Sequence, residues 1–584
     1  MPPALVLTDR LGRLPRWRPS GYAIAMLALL AGAFALRVWG VGQGLPYAYN
    51  ADENAHFVPH AIGMFVNNGN PEYFVNPAAY TNVLYFVFSI WFGGRRGVSD
   101  MFAMHPSEVF IVARLTAAGL GTVGVWLTYL AGARLFDRRT GMLAAALLAV
   151  SFLPVFYSHL ALNDVPTLAP IGLSLYGTAG VLREGRVRDY VIAGLGLGIA
   201  AATKYTGGIV ILPLFAATMA QFMAPGGHKP AVRGLMLAGL FAAVGFAATN
   251  PYALIDFAGF REGLSHQTTA ADDSFGKLGL TQTNGVAYYL WAFTWGMGWV
   301  PLIAAVAGAV LLLRDEPRLT WVLAPTPILF VLFMGSQGRF FGRWLLPVFP
   351  IVALLAAYCV IEVSDLVGRR RPALRLTALV VGVVALCGQG LVYSLHSGLV
   401  LSRGDTRNLT RAWMVAHIPL GTRIVVEPIV PDGWASDIGH PYHGTSNGYR
   451  WVKFPTSRAS FNPDTGAPVP PPGVVVNIED YERTLRPSLI DDYEAGGYCW
   501  VVTGSTQRGR AEAEPTVVPQ AIAYYRQLQR RGEVVYQASP YSRGASAVKF
   551  NFDWSFEFYP LAYRRPGPLI TIYRLHGGKC ARVS

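Results

Sequence analysis

The chain has 584 residues, of which 52% are hydrophobic and only 14% charged, and its mean hydropathy is +0.34. Soluble globular chains carry about a quarter charged residues, so this composition leaves too little polar surface for water on every side. It also excludes disorder, collagen-like repeats and a disulfide-stapled scaffold, which leaves a polytopic α-helical membrane protein with a soluble appendage. The net charge of +14 would suit nucleic acid, but membrane proteins concentrate Lys and Arg in cytoplasmic loops for another reason.

Apolar runs of near bilayer-crossing length predict about eleven spans, near 21–40, 109–133, 141–158, 165–182, 190–203, 206–223, 235–249, 297–313, 319–335, 344–362 and 377–398. Lys204 alone divides the fifth from the sixth. A basic leader holding Arg10, Arg13, Arg16 and Arg18 precedes the first span. That span lacks a small-residue cleavage site, so an anchor is expected rather than a signal peptide. With the N-terminus in the cytoplasm, eighteen basic residues fall in the inner segments. These include Arg134, Arg138, Arg139, Arg183, Arg186, Arg188 and Arg369 to Arg371. Seven fall outside: Arg95, Arg96, Lys204, Arg261, Lys277, Arg339 and Arg343. The asymmetry follows the positive-inside rule and accounts for the basic surplus without nucleic acid.

The long first outer loop, 41–108, contains a second apolar stretch at 80–92, between Pro77 and Gly93-Gly94. Counting it as a span would move the arginine clusters outside, so an amphipathic segment in the membrane interface is expected. From about residue 399 the composition turns polar and the apolar runs shorten to strand length. Strands are expected near 422–427, 498–503, 534–537 and 569–574, and helices near 406–417 and 516–531. The expected division is a membrane domain over 1–398 and an extracytoplasmic α/β domain over 399–584. Cys359 and Cys387 lie in apolar runs. Cys499 and Cys580 lie in the tail, where a disulfide is chemically allowed.

Three places put ionisable groups at the outer ends of spans, where lipid would be costly for them. The first is Asn50-Ala51-Asp52-Glu53-Asn54-Ala55-His56. Asn50 can cap a helix that sets Asp52, His56 and His60 on one face, with Pro59 weakening it further on. The bland reading is a solvated helix start. The second is Ser158 to Pro166, whose Asp164 could equally be a simple cap. The third is the cations of Lys204-Tyr205 and of Arg339 and Arg343, which could be snorkelling anchors. Two carboxylates and several cations on one membrane face suit transfer of a group from a phosphate. Cations stabilise the departing phosphate, and a carboxylate takes the proton of the attacking hydroxyl. Asp52, His56 and His60 could also form a divalent-metal site. Gly194-Leu195-Gly196-Leu197-Gly198 lies in an apolar span without a preceding strand, so close helix packing is expected there, not nucleotide binding. The sequon Asn408-Leu409-Thr410 matters only where the host glycosylates that compartment.

An ordered series follows the spans: Asp52-Glu53, Asn163-Asp164-Val165-Pro166, Ala202-Thr203-Lys204-Tyr205-Thr206-Gly207, Asn250-Pro251-Tyr252 and Arg343-Trp344-Leu345-Leu346-Pro347. It resembles the successive motifs of polyprenyl-phosphate-dependent glycosyltransferases of the C-type (GT-C) membrane fold, the superfamily of protein O-mannosyltransferases and aminoarabinose transferases. The resemblance covers roughly the first 400 residues. It departs at Val75-Asn76-Pro77-Ala78, where aminoarabinose transferases carry a Glu-Lys-Pro-Pro type motif, and near His159, where an Arg is usual.

The resemblance implies that Asp52 is the catalytic carboxylate, Asp164 the second acid and Glu53 an orienting neighbour. It implies that Lys204 and Arg343 hold the lipid phosphate, with Arg339 and Tyr205 beside them. The implied reaction is inverting transfer of a hexose or pentose from a polyprenyl phosphate to a hydroxyl of an outer-face acceptor in a bacterial plasma membrane. The alternatives are a transporter, which would show inverted repeats and midplane sites, and a non-catalytic envelope scaffold.

Overall fold

The apolar runs become helices, and those helices turn their apolar side chains outward as well as inward. In the computed structural model Ile24, Leu27, Met236, Leu240, Ile303, Val306, Val310 and Val384 are all exposed on the bundle surface. Such a surface is stable only against lipid. The structure describes residues 21–272, 278–279, 284–437, 450–454, 481–548, 550–551 and 560–582. Among these, eight helical segments are long and apolar enough to cross a membrane. They are Gly21–Val38, Pro106–Leu135, Tyr205–Phe222, His228–Thr249, Gly285–Asp315, Pro317–Gly335, Gly342–Arg370 and Pro372–His417. The three other expected spans fall on shorter helices. Arg138–Val150 breaks at Ser151 before Phe152–Tyr157, and Leu168–Glu184 and Val187–Thr203 have 17 residues each.

Small residues bring these helices together. A Cβ on Gly194 or Gly198 would lie 2.2 or 2.0 Å from the carbonyl oxygens of Ala238 and Ala242 on His228–Thr249. The glycine series is therefore a packing seam, as its apolar setting predicts. The expected interfacial segment is the helix Ala79–Trp91. It buries Tyr80, Leu84 and Phe88 on one face and exposes Phe86, Ile90 and Trp91 on the other.

Beyond the last apolar helix, Arg375–Leu401, the chain forms a five-stranded sheet in the order β2-β1-β3-β5-β4. Its strands are β1 (Arg423–Val426), β2 (Val452–Phe454), β3 (Trp500–Gly504), β4 (Gly532–Ala538) and β5 (Ile570–Leu575). β1 runs parallel to β2 and β3, and β5 runs antiparallel to β3 and β4. Alternation along the strands feeds two cores. Val425, Val501 and Tyr573 face one, and Ile424, Val426, Val502 and Ile572 face the other. The helices Thr406–His417 and Pro519–Arg531 cover opposite faces of the sheet. Cys499, before β3, and Cys580, after β5, are joined by a disulfide with Cα atoms 5.3 Å apart.

The polar tail and the bundle meet through the chain just after the first helix. The Asn408 amide nitrogen donates to the Leu45 carbonyl at 2.8 Å, and the Tyr49 hydroxyl donates to the Asn408 side-chain oxygen at 2.5 Å. The Arg407 guanidinium lies 3.7 Å from the centre of the Tyr49 ring. The sequon asparagine is thus committed to a contact between the two parts of the molecule.

Candidate functional site

Asn50 begins the site. Its side-chain oxygen accepts hydrogen bonds from the N–H groups of Asp52 and Glu53, at 3.1 and 3.2 Å, and so caps the turn that follows. That turn, Glu53–Phe57, is a widened π-turn leading into the α-helix Val58–Gly63. The widening lies where the ring of Pro59 would otherwise crowd the Ala55 carbonyl, so the helix continues past the proline instead of stopping.

Glu53 points inward and is fully buried. It accepts from Arg114 Nε at 2.6 Å and Nη2 at 2.7 Å, and from the N–H of Ala161 at 2.9 Å. Arg114 also donates to the carbonyls of Val41 and Gln43 at 2.7 and 2.8 Å. This pair ties together the first loop, the start of Pro106–Leu135 and the turn containing Asp164. Fully buried and held by three donors, Glu53 sits behind Asp52 and holds the loop.

Asp52 turns the other way. Its carboxylate accepts from Arg343 Nη2 at 2.8 Å, and Arg343 Nε lies 3.8 Å from Asp164. Asp164 in turn pairs with Lys204. Four residues spread over almost three hundred positions thus form one chain of alternating charge: Asp52, Arg343, Asp164, Lys204. Antiparallel helices bring them to one end of the bundle. Asp164 precedes Leu168–Glu184, Lys204 follows Val187–Thr203, and Arg343 opens the short turn before Phe349–Arg370. The Asn163 amide donates to the Thr203 carbonyl at 2.8 Å and fixes the two acidic and basic turns side by side. The Arg343 guanidinium also lies over the rings of Phe341 and Tyr157, at 4.3 and 5.8 Å. Exposure separates the two acids: the Asp52 side chain is 36% exposed and that of Asp164 only 4%.

The remaining candidates fall around this chain. The Tyr205 hydroxyl donates to the Phe74 carbonyl at 2.9 Å, which pins the first loop over Lys204. Arg339 is half-buried just before the Arg343 turn. His56 and His60 stack on Tyr73, with ring centres 4.8 and 4.7 Å away, and His60 Nδ1 is 2.8 Å from the Pro71 carbonyl. Burial holds both imidazoles below the usual histidine range, with Asp52 raising His56 in the opposite sense. Among the described residues no three His, Cys, Asp or Glu side chains gather as a metal-ligand set. The imidazoles of the expected Asp52, His56 and His60 set are both engaged in stacking on Tyr73. At His159, Nε2 is 3.0 Å from the Trp39 carbonyl and burial pulls the imidazole down to about 4. Its Nδ1 lies 3.2 Å from the Phe156 carbonyl, so both ring nitrogens face backbone oxygens.

Two buried arginines escaped the sequence reading. Arg114 lies inside the expected second span, and Arg37 near the end of the first. Arg37 donates to the carbonyls of Ala33 and Ala149, both at 3.0 Å. Their signal was available, since a charge within an apolar run needs an internal partner.

Residues 102–252, which contain Arg114, Asp164 and Lys204, match the family model described as dolichyl-phosphate-mannose-protein mannosyltransferase. The Archaeoglobus fulgidus oligosaccharyltransferase, in a crystal structure with a tethered acceptor peptide, has a TM-score of 0.52 at 12% identity, over 91% of this chain and 74% of that one. The bundle has the GT-C fold of membrane glycosyltransferases. ArnT from Cupriavidus metallidurans is also similar, with a TM-score of 0.46 at 15% identity, over 69% of this chain and 82% of that one. No curated protein matches the sequence. In this GT-C bundle the acid and base chain sits at the helix ends, with the first loop folded across it.

Proposed function

We propose that this GT-C protein transfers a single sugar from a polyprenyl phosphate to a hydroxyl of an acceptor at the outer face of the membrane. The observation that carries the reading is the bridge from half-exposed Asp52 through Arg343 to buried Asp164 and Lys204. The match of residues 102–252 to a lipid-phosphate mannosyltransferase family supports a lipid-phosphate donor. Orientation is supported by the opposite end of the bundle. There Arg134 pairs with Glu184 and Asp189, Arg139 with Asp365 and Arg183 with Glu316, which fits a cytoplasmic face.

In the proposed reaction the acceptor oxygen attacks the anomeric carbon from the side opposite the phosphate. The new C–O bond forms as the bond from that carbon to the phosphate oxygen breaks, and the configuration inverts. Asp52 takes the hydroxyl proton, being the more accessible of the two paired acids. Lys204 and Arg343 take up the negative charge on the departing polyprenyl phosphate, with Arg339 and Tyr205 at the edge of the site. Asp164 keeps Lys204 charged and aimed. Before donor binds, Arg343 pairs with Asp52; a phosphate competing for that guanidinium frees the carboxylate to act as a base. Metal is given no step.

The test uses the purified protein in liposomes with a panel of polyprenyl-phosphate hexoses and pentoses, assayed for free polyprenyl phosphate with and without chelator. Release from at least one donor, dependent on an added acceptor, is expected. Intact donors across the whole panel would overturn the reading.

A further inference from the structure

The C-terminal domain contains a hollow of about 330 Å³ that the reaction above does not use. Its floor is the ends of β3 and β5, at Thr503 and Thr571. One wall is the helix Ser505–Ala513, which presents Arg508 and Glu512 one turn apart. Tyr541 adds an aromatic surface beyond that helix, and the Phe550 ring lies against Gly509 of the helix itself. Arg508 Nε donates to Glu512 at 2.7 Å, so the polar wall carries a neutral pair instead of a net charge.

Each part of this lining narrows the ligand. A phosphate or other anion would meet Glu512 beside Arg508, whose Nη1 and Nη2 already lie 2.7 and 3.2 Å from the Gln529 side-chain amide. A purely apolar ligand would strip water from Thr503, Arg508 and Glu512 without replacing their hydrogen bonds. A neutral polyhydroxylated ring satisfies both kinds of surface, with its C–H face on an aromatic ring and its hydroxyls on the threonines and the Arg508–Glu512 pair. The volume suits a monosaccharide or disaccharide, at the small end of the roughly 300–1,000 Å³ range of ligand pockets.

The position is as informative as the chemistry. Tyr541 and Tyr563, both in the lining, pack on the hydrophobic core of the bundle. His396 Nε2 on Arg375–Leu401 is 3.1 Å from the Pro560 carbonyl, another part of the lining. The same helix, at Gly398 and Leu401, packs on Trp39 and Gly40, a dozen residues before Asp52. The hollow therefore rests on the end of the bundle that carries the acid and base chain.

We propose that this hollow is a second carbohydrate site, which holds a neutral sugar unit of the acceptor while another part of that acceptor reaches Asp52. The assignment of the sugar to the acceptor rests on the transfer reading; the carbohydrate site itself does not.

The experiment is saturation-transfer NMR on the full-length protein in nanodiscs, with the methyl glycosides of glucose, mannose, galactose and arabinofuranose as separate probes. At least one glycoside should receive saturation. Tyr541→Ala and Glu512→Ala should each weaken that signal severalfold, and Asp52→Asn should leave it intact. Glu512 has a 52% exposed side chain, so its variant keeps the test open if Tyr541→Ala unfolds. Absence of signal with all four glycosides would overturn the site. So would a signal that survives Glu512→Ala or disappears with Asp52→Asn. If the glycoside binds as described but no donor lipid is turned over, the carbohydrate site stands and the transfer reading falls.

Discussion

Asp52 and Asp164 carry the same functional group, but their surroundings set them to different tasks. Asp164 is 3% exposed and shares its charge with Lys204, itself 8% exposed. Breaking a buried pair from one side leaves the other charge without compensation, at a cost of about 3–5 kcal/mol. Asp164→Ala should therefore lower the thermal midpoint of the detergent-solubilised protein by several degrees, whereas Asp52→Asn should leave it nearly unchanged. Equal effects would mean that the two acids have equivalent structural roles. The sequence placed both acids and both cations at span ends, because ionisable residues between long apolar runs are conspicuous. Whether they touched was beyond it, since contact depends on how helices far apart in the chain pack. Glu53 shows the converse. Adjacent to Asp52 and chemically alike, it faces the interior, and only the position of Arg114 reveals that.

At the scale of elements, the first loop is held by a few strong contacts instead of by regular structure. The Glu53–Arg114 pair joins that loop to two helix ends. Arg114→Ala should destabilise the protein by about 3–5 kcal/mol. In hydrogen-exchange measurements it should also loosen residues 41–57 more than the distant helix Arg375–Leu401; uniform loosening would contradict the clamp. In the sheet domain, Glu427 follows β1 and accepts from Tyr525 Oη at 2.7 Å and the Gly504 N–H at 2.6 Å. Burial nevertheless pushes its carboxyl up to about 8 from an ordinary 4.5. Between those values the folded state keeps a proton that the unfolded chain releases, so stability falls as pH rises through this window. Glu427→Gln should flatten the decline between pH 5 and 8 in tryptophan-fluorescence melts; an unaltered slope would remove Glu427 as its source. The strands of this domain were legible because short apolar runs such as Ile424-Val425-Val426 and Trp500-Val501-Val502 need only local sequence. β2 was not: three residues with Lys453 in the middle make no apolar run.

For the whole molecule, the docking of the tail on the residues before Asp52 matters most. Tyr47 is buried among Met414, Ile424 and Trp434, and Asn408 holds both Leu45 and Tyr49. The C-terminal domain thus grips a segment that ends three residues before the proposed base. Asn408→Ala should lower kcat severalfold with little change in donor KM, a split that distinguishes misplacement of Asp52 from loss of donor binding. The span pattern and the existence of a tail domain were readable from hydropathy and composition. Their mutual grip was not, because it is made by single polar and aromatic side chains without periodicity.

The central claim is that this chain of charges performs sugar transfer, with Asp52 as the base. Its most direct measurement compares polyprenyl-phosphate release by the wild-type protein and by Asp52→Asn, reconstituted in the same liposomes at saturating donor. A loss of about 10²- to 10⁴-fold is expected for the variant, with donor still bound and the thermal midpoint preserved. Release at the wild-type rate from a well-folded Asp52→Asn protein would contradict it.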